Sequence, residues 1–90
     1  MLRDIPKDYL LHVSIRDRTG VLFAGEVEAL TSENEKGEFD ILSRHINFIS
    51  LIRSWLVLHF EGGVVQKLSF STGILALRDN RIEIYLGVLK

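Results

Sequence analysis

The 90-residue chain has no cysteine and a single proline. Without cysteine there is no disulfide framework and no thiolate metal site, a composition that suits a reducing compartment. It also lacks any apolar run near the roughly 20 residues that cross a bilayer as a helix. Charge of one sign is missing too: 11 Lys and Arg face 12 Asp and Glu, so no electrostatic footprint for nucleic acid follows. The charged N-terminus, with Arg3, Asp4, Lys7 and Asp8, has no apolar core of the kind a signal peptide needs. No repeat and no low-complexity tract occurs.

What is present is apolar alternation. Hydrophobic residues make up 47% of the chain, enough for one small globular domain with a thin core. Residues 1–8 read as a polar, extended leader, and residues 9–90 as a single domain. Tyr9, Leu11, Val13 and Ile15 alternate with Leu10, His12, Ser14 and Arg16, the period of a strand with one apolar face. Asp17-Arg18-Thr19-Gly20 reads as a turn, and Val21-Leu22-Phe23 as a short buried strand. Gly25 is expected to mark a bulge or bend before an alternating Glu26–Thr31. Helix is the rival reading of that segment, but the flanking glycine favours strand. Ser32 to Gly37 reads as a charged loop.

Glu38 to Leu42 is a strand with Phe39 and Ile41 on one face and Glu38 and Asp40 on the other. A polar loop at Ser43, Arg44 and His45 follows. The run Phe48–Ile52 is separated by Arg53-Ser54 from Trp55–Phe60, in which Leu56, Leu58 and Phe60 share a face. Glu61-Gly62-Gly63 is a hairpin turn, because glycine adopts positive φ without steric cost. Val64–Phe70 returns antiparallel, with Leu68 and Phe70 inward. Gly73 opens a further strand with Leu75 and Leu77 inward. After a turn at Arg78–Arg81, Ile82, Ile84 and Leu86 face inward, with Glu83 and Tyr85 opposite. No amphipathic helix of useful length appears. The expectation is an all-β antiparallel sandwich or flattened barrel of about eight to ten short strands.

Chemical motifs are scarce. His12, His45 and His59 occur without the His-x-His or His-x-x-x-His spacing that preorganises metal ligands, so no metal is expected. There is no nucleophile elbow and no phosphate-binding glycine loop, so neither nucleophilic catalysis nor a nucleotide cofactor is supported. Glu38 and Asp40 share a strand face, as two solvated acids commonly do. Trp55, in outward register relative to Leu56 and Leu58, is either a large core residue or an interface anchor. The stretch from Gly37 to Phe48 carries Glu38, Arg44 and His45 towards one rim, which reads as a docking surface.

Leu22-Phe23-Ala24-Gly25-Glu26-Val27, then Gly37-Glu38-Phe39-Asp40-Ile41-Leu42 with His45, then Ser71-Thr72-Gly73-Ile74-Leu75-Ala76-Leu77 stand in a fixed order. In that order the chain resembles the N-terminal β-sandwich of the epsilon subunit of F-type ATP synthases, from about Leu11 to Leu86. That family carries Pro-Gly where Ser43-Arg44 stand, Ala-Pro at Ile46-Asn47, and a second Pro-Gly at Arg53-Ser54. These departures are expected to reshape the loop around His45. The resemblance implies a non-catalytic, cofactor-free subunit of the central stalk. Such a subunit is held peripherally on the cytoplasmic side of an energy-transducing membrane and couples the gamma subunit to the membrane c-ring. It also implies that Glu38 and His45 face the ring. Arg44, with no counterpart in the family, would add a basic contact. The family's C-terminal helical hairpin is expected to be missing here, whether lost naturally or cut away, and an uncovered gamma-facing patch would favour self-association of the isolated domain. The alternative is a small ligand-binding sandwich or cupin-like module, which requires grouped aromatics or converging histidines.

Overall fold

The first alternation folds as β1, Leu11–Asp17, with Leu11, Val13 and Ile15 buried. A computed structural model describes residues 9–87, so the leader expected over residues 1–8 lies outside them. Thr19 closes the first turn by donating its N–H and its hydroxyl to Asp17 Oδ1, at 2.8 and 2.6 Å. These donors hold the Asp17 carboxyl below its ordinary value, because they favour the ionised form. The strands that follow are β2 (Gly20–Val27), β3 (Ala29–Asn34), β4 (Gly37–Leu42), β5 (Phe48–His59), β6 (Val65–Arg78) and β7 (Arg81–Leu86). No α-helix occurs among the described residues.

These strands form a 7-stranded sheet in the order β2-β1-β7-β6-β5-β3-β4. Every neighbouring pair is antiparallel except β1 and β7, which run parallel. The count falls below the expected eight to ten because two interruptions are absorbed into long strands. Arg53-Ser54 does not end a strand: β5 runs through it for 12 residues, with a register shift between Arg53 and Trp55 and a φ of 77° at Ser54. Gly73 likewise lies inside the 14-residue β6. At Gly25 no bulge forms, since Gly25 pairs regularly with Val13 and the shift in that pair of strands falls at Ile15/Arg16. Val21 and Leu22 are exposed, contrary to their apolar character. The charged loop shrinks to a turn at Glu35-Lys36, because Ser32, Glu33 and Asn34 belong to β3. Ser32 is buried there, with its hydroxyl donated to the Trp55 carbonyl at 2.7 Å.

The sheet folds back on itself. Phe39 sits opposite Ser32, and Ser32 opposite Leu56. The run from Phe48 to Leu56 would be about 26 Å long if straight. Yet the Phe39 and Phe48 rings meet edge to face, with centroids 5.9 Å apart. Phe23 on β2 and Phe60 beyond β5 meet at 5.8 Å, although four strand spacings, about 19 Å in a flat sheet, separate β2 from β5. The Ser54 bulge supplies the corner, since bulges bend and twist a strand. Two layers result. One holds β2, β1, β7 and the facing halves of β6 and β5; the other holds β3, β4 and the remaining halves of β5 and β6. A single apolar cluster fills the space between them, including Ile15, Ile52, Ile84 and Leu75 from one layer and Leu30, Ile41, Leu56 and Leu58 from the other. Among the described residues β2 and β4 end the order without pairing to each other, so the sheet is a folded sandwich and not a closed barrel.

Candidate functional site: the loop rim

The loop of residues 43–47 joins β4 to β5 and is tied to the turn between β6 and β7. Arg44 has a φ of 67°, which turns its N–H onto Asn80 Oδ1 at 2.6 Å. Asn47 Oδ1 accepts the Asp79 N–H at 2.9 Å, and the Asn80 carbonyl accepts the His12 N–H at 2.8 Å. Asp79 and Asn80, with φ of 51° and 65°, form the left-handed pair that a tight hairpin requires. Two side-chain amides thus staple one loop to the other.

His45 is oriented by its surroundings. Its N–H reaches the Leu42 carbonyl at 3.2 Å, and its Nδ1 lies 2.8 Å from the Ile46 carbonyl. A carbonyl only accepts, so Nδ1 carries the proton in that contact. The imidazole leans on Phe48, with centroids 5.2 Å apart, and Phe48 leans on Phe39. Beside it Ile46 is 82% exposed. The rim therefore presents a basic side chain, an imidazole and an aliphatic tip on a stapled backbone.

Glu38 is placed elsewhere. Glu33 pairs with Glu38 and Ala29 with Leu42, so Glu38 lies at the far end of β4 from the loop, about 13 Å along the strand. It borders a shallow groove of about 310 Å³ on the outer face, with Thr31, Asp40, Trp55, Val57, His59 and Lys67. The sequence pattern groups Glu38 with Arg44 and His45; the strand length separates it from them. Asp40, its neighbour on that face, accepts the Thr31 hydroxyl at 2.6 Å. The threonine has one proton, so its oxygen accepts from His59 Nε2 at 2.8 Å. In this array the hydroxyl gives its proton to the acid and the imidazole donates, so neither acts as a base on a nucleophile. It works as a cross-strand staple of β4, β3 and β5. Sequence spacing could not reveal it, because its members come from three strands.

Trp55 is half-buried, its Nε1 donated to Glu33 at 3.0 Å and Lys67 5.6 Å above its ring. Arg53 approaches the same Glu33 at 3.5 Å. His12 pairs with Glu26 at 3.2 Å. The three histidines thus have different partners, and among the described residues no three His, Asp or Glu side chains gather as a metal set. On the outer face of the other layer a row crosses the sheet: Leu51 lies opposite Ile74, Ile74 opposite Tyr85, and Tyr85 opposite Arg16. The Arg16 guanidinium stands 5.7 Å from the Tyr85 ring. With exposed Ile49 this makes an apolar strip bordering the rim.

The chain matches one family model, described as ATP synthase, Delta/Epsilon chain, beta-sandwich domain, over residues 10–87. It is 27% identical over 74 residues to the ATP synthase epsilon chain of Halalkalibacterium halodurans, covering 82% of this chain and 56% of that one. It is 23% identical over 77 residues to the epsilon chain of Bradyrhizobium sp. (strain ORS 278), covering 86% of this chain and 57% of that one. The chain therefore spans little more than half the length of these curated relatives. Its fold is similar to a chain of the Euglena gracilis mitochondrial ATP synthase OSCP/F1/c-ring structure. The TM-score is 0.82 at 20% identity, over 93% of this chain and 53% of that one. A chain of the Tetrahymena thermophila mitochondrial ATP synthase central stalk/c-ring structure gives a TM-score of 0.71 at 14% identity, over 84% of this chain and 62% of that one. At these identities the structural likeness is one of fold, and it agrees with the folded sheet built up above. With the family model spanning nearly every described residue, the chain belongs to the family of ATP synthase delta/epsilon-chain β-sandwich domains.

Proposed function

We propose that this domain works as an epsilon-type central-stalk module of a rotary ATP synthase. In that role it couples the shaft, the gamma subunit, to the membrane c-ring and performs no chemistry itself. The family match over residues 10–87 carries the reading. The two-layer architecture supports it: long strands cross between layers around one core, a stiff body for transmitting force. The rim supports it as well. Arg44 and His45 stand on a loop fixed by Asn47 and Asn80, so a polar loop of the ring would meet a preformed surface. Charged contacts of this kind set register more than affinity. The apolar strip around Leu51, Ile74 and Tyr85 is a surface of the kind a shaft subunit would cover. Glu38, at the other end of β4, would meet the ring only through a second, separate contact.

No helix among the described residues is long and apolar enough to cross a membrane. In the stalk reading, attachment to the membrane runs through the ring, on its cytoplasmic side. The test is a reconstituted ATP synthase carrying this subunit with Arg44→Glu and His45→Ala together. The expected result is a several-fold fall in ATP-driven ion pumping per ATP hydrolysed, with an unchanged circular dichroism spectrum. Wild-type coupling and wild-type ring binding in that variant would overturn the reading.

A further inference from the structure

The 43–47 loop and the β6–β7 turn hold each other reciprocally. Each lends a side-chain amide oxygen to a backbone N–H of the other. Asn80 Oδ1 accepts from Arg44 at 2.6 Å, and Asn47 Oδ1 accepts from Asp79 at 2.9 Å. Asn80 joins a third element as well, since its carbonyl accepts the His12 N–H near the start of β1. In the sheet order β4 has β3 as its neighbour and lies far from β1, β6 and β7. The clasp therefore ties the segment that leaves β4 to strands on the opposite side of the order.

Backbone conformation marks the same junction. The non-glycine residues with positive φ among those described are Arg44, Ser54, Asp79 and Asn80, and all but Ser54 meet here. Aspartate and asparagine tolerate that region, whereas a long side chain such as arginine seldom enters it. Such a conformation persists only where its surroundings hold it, and the bond from the Arg44 N–H to Asn80 is placed to do so.

Stability alone does not account for the arrangement. Arg44, Asn47 and Asp79 are exposed, and at such a surface water replaces a lost hydrogen bond. What the clasp restrains is the direction in which Arg44, His45 and Ile46 are presented. A loop already held in its bound shape loses less freedom on docking, which raises affinity.

We propose that Asn47 and Asn80 are positioning residues for the ring: their clasp makes the 43–47 loop and the β6–β7 turn one preformed contact surface. The ring as partner rests on the stalk reading; the clasp does not.

Substitutions separate the two properties of Asn80. Glycine keeps the positive φ and removes the amide oxygen, while aspartate keeps the φ and an acceptor. In the isolated chain, amide hydrogen exchange followed by NMR is expected to show the Arg44 N–H exchanging about two- to tenfold faster in Asn80→Gly. Asn47→Ala is expected to do the same to the Asp79 N–H. Circular dichroism stays unaltered in both. Purified c-ring in detergent is the binding probe. Asn47→Ala combined with Asn80→Gly is expected to weaken ring binding at least about fivefold. Asn80→Asp alone is expected to keep the protection of the Arg44 N–H. It should also keep ring binding within about twofold, at an ionic strength that screens its added charge.

Unchanged exchange at Arg44 and Asp79 overturns the clasp. Faster exchange with wild-type ring binding overturns the positioning role, and leaves the stalk reading standing if Arg44→Glu with His45→Ala still loses the ring. If that variant also binds as wild type, the stalk reading falls too.

Discussion

Arg44 and Ser54 occupy the left-handed region, with φ of 67° and 77°. The resembled family has glycine at both positions, and its loss was expected to reshape the loop around His45. The backbone there keeps a conformation that glycine prefers, held at Arg44 by Asn80 and at Ser54 by the pairing of β5 with β6 on either side. A non-glycine residue in this region costs roughly 1 kcal/mol or more, while glycine adds about 0.5–1 kcal/mol of chain entropy to be lost on folding. Ser54→Gly is therefore expected to stabilise the domain by about 0.5–1 kcal/mol, or roughly 2–8 °C in Tm, measured by thermal or urea unfolding. The same local logic makes Asp17, Asp79 and Asn80 readable as turn residues from their identity alone. It gives no access to Asn47, whose role depends on a turn more than thirty residues away.

At the level of the element, alternation located nearly every buried side chain of β1, β4 and β7, because a strand with one wet face must alternate. Strand ends were harder. A glycine or a polar pair looks like punctuation in a linear reading, yet β6 carries Gly73 through its middle. A Cβ at Gly73 would stand 2.8 Å from Leu86 Cδ2, 3.0 Å from the Tyr85 carbonyl oxygen and 3.4 Å from Ile52 Cγ1. The residue marks a close approach between β6, β7 and β5. Gly73→Ala is thus expected to destabilise by about 1–3 kcal/mol through overpacking, although alanine suits a strand better than glycine does. Urea unfolding of the purified variant checks this, with no loss of stability as the contrary result.

For the whole molecule the core matters more than any surface feature, since a domain this small has little stability to spare. Leu58 on β5 is fully buried between the layers, while Leu42 on β4, two strands away in the sheet, is 60% exposed. Leu58→Ala is expected to cost about 2–5 kcal/mol and Leu42→Ser less than about 0.5 kcal/mol, read from denaturant midpoints. Near-equal losses would show that the space between the layers is not the main source of stability. The length of β4 separates the candidate contacts. It carries Arg44 and His45 to one end and leaves Glu38 in a groove with Thr31 and Asp40, where the sequence alone suggested one rim.

The local choices were written in the order of residues: all-β class, inward faces and turn positions. Each of these depends on neighbours within a few positions, where the two-residue period and backbone sterics decide. The corner at Ser54, the parallel pairing of β1 with β7 and the staple of Asn47 and Asn80 across the rim were decided only in three dimensions. They arise from which strands lie side by side, and a linear pattern of polar and apolar residues is the same for every such arrangement.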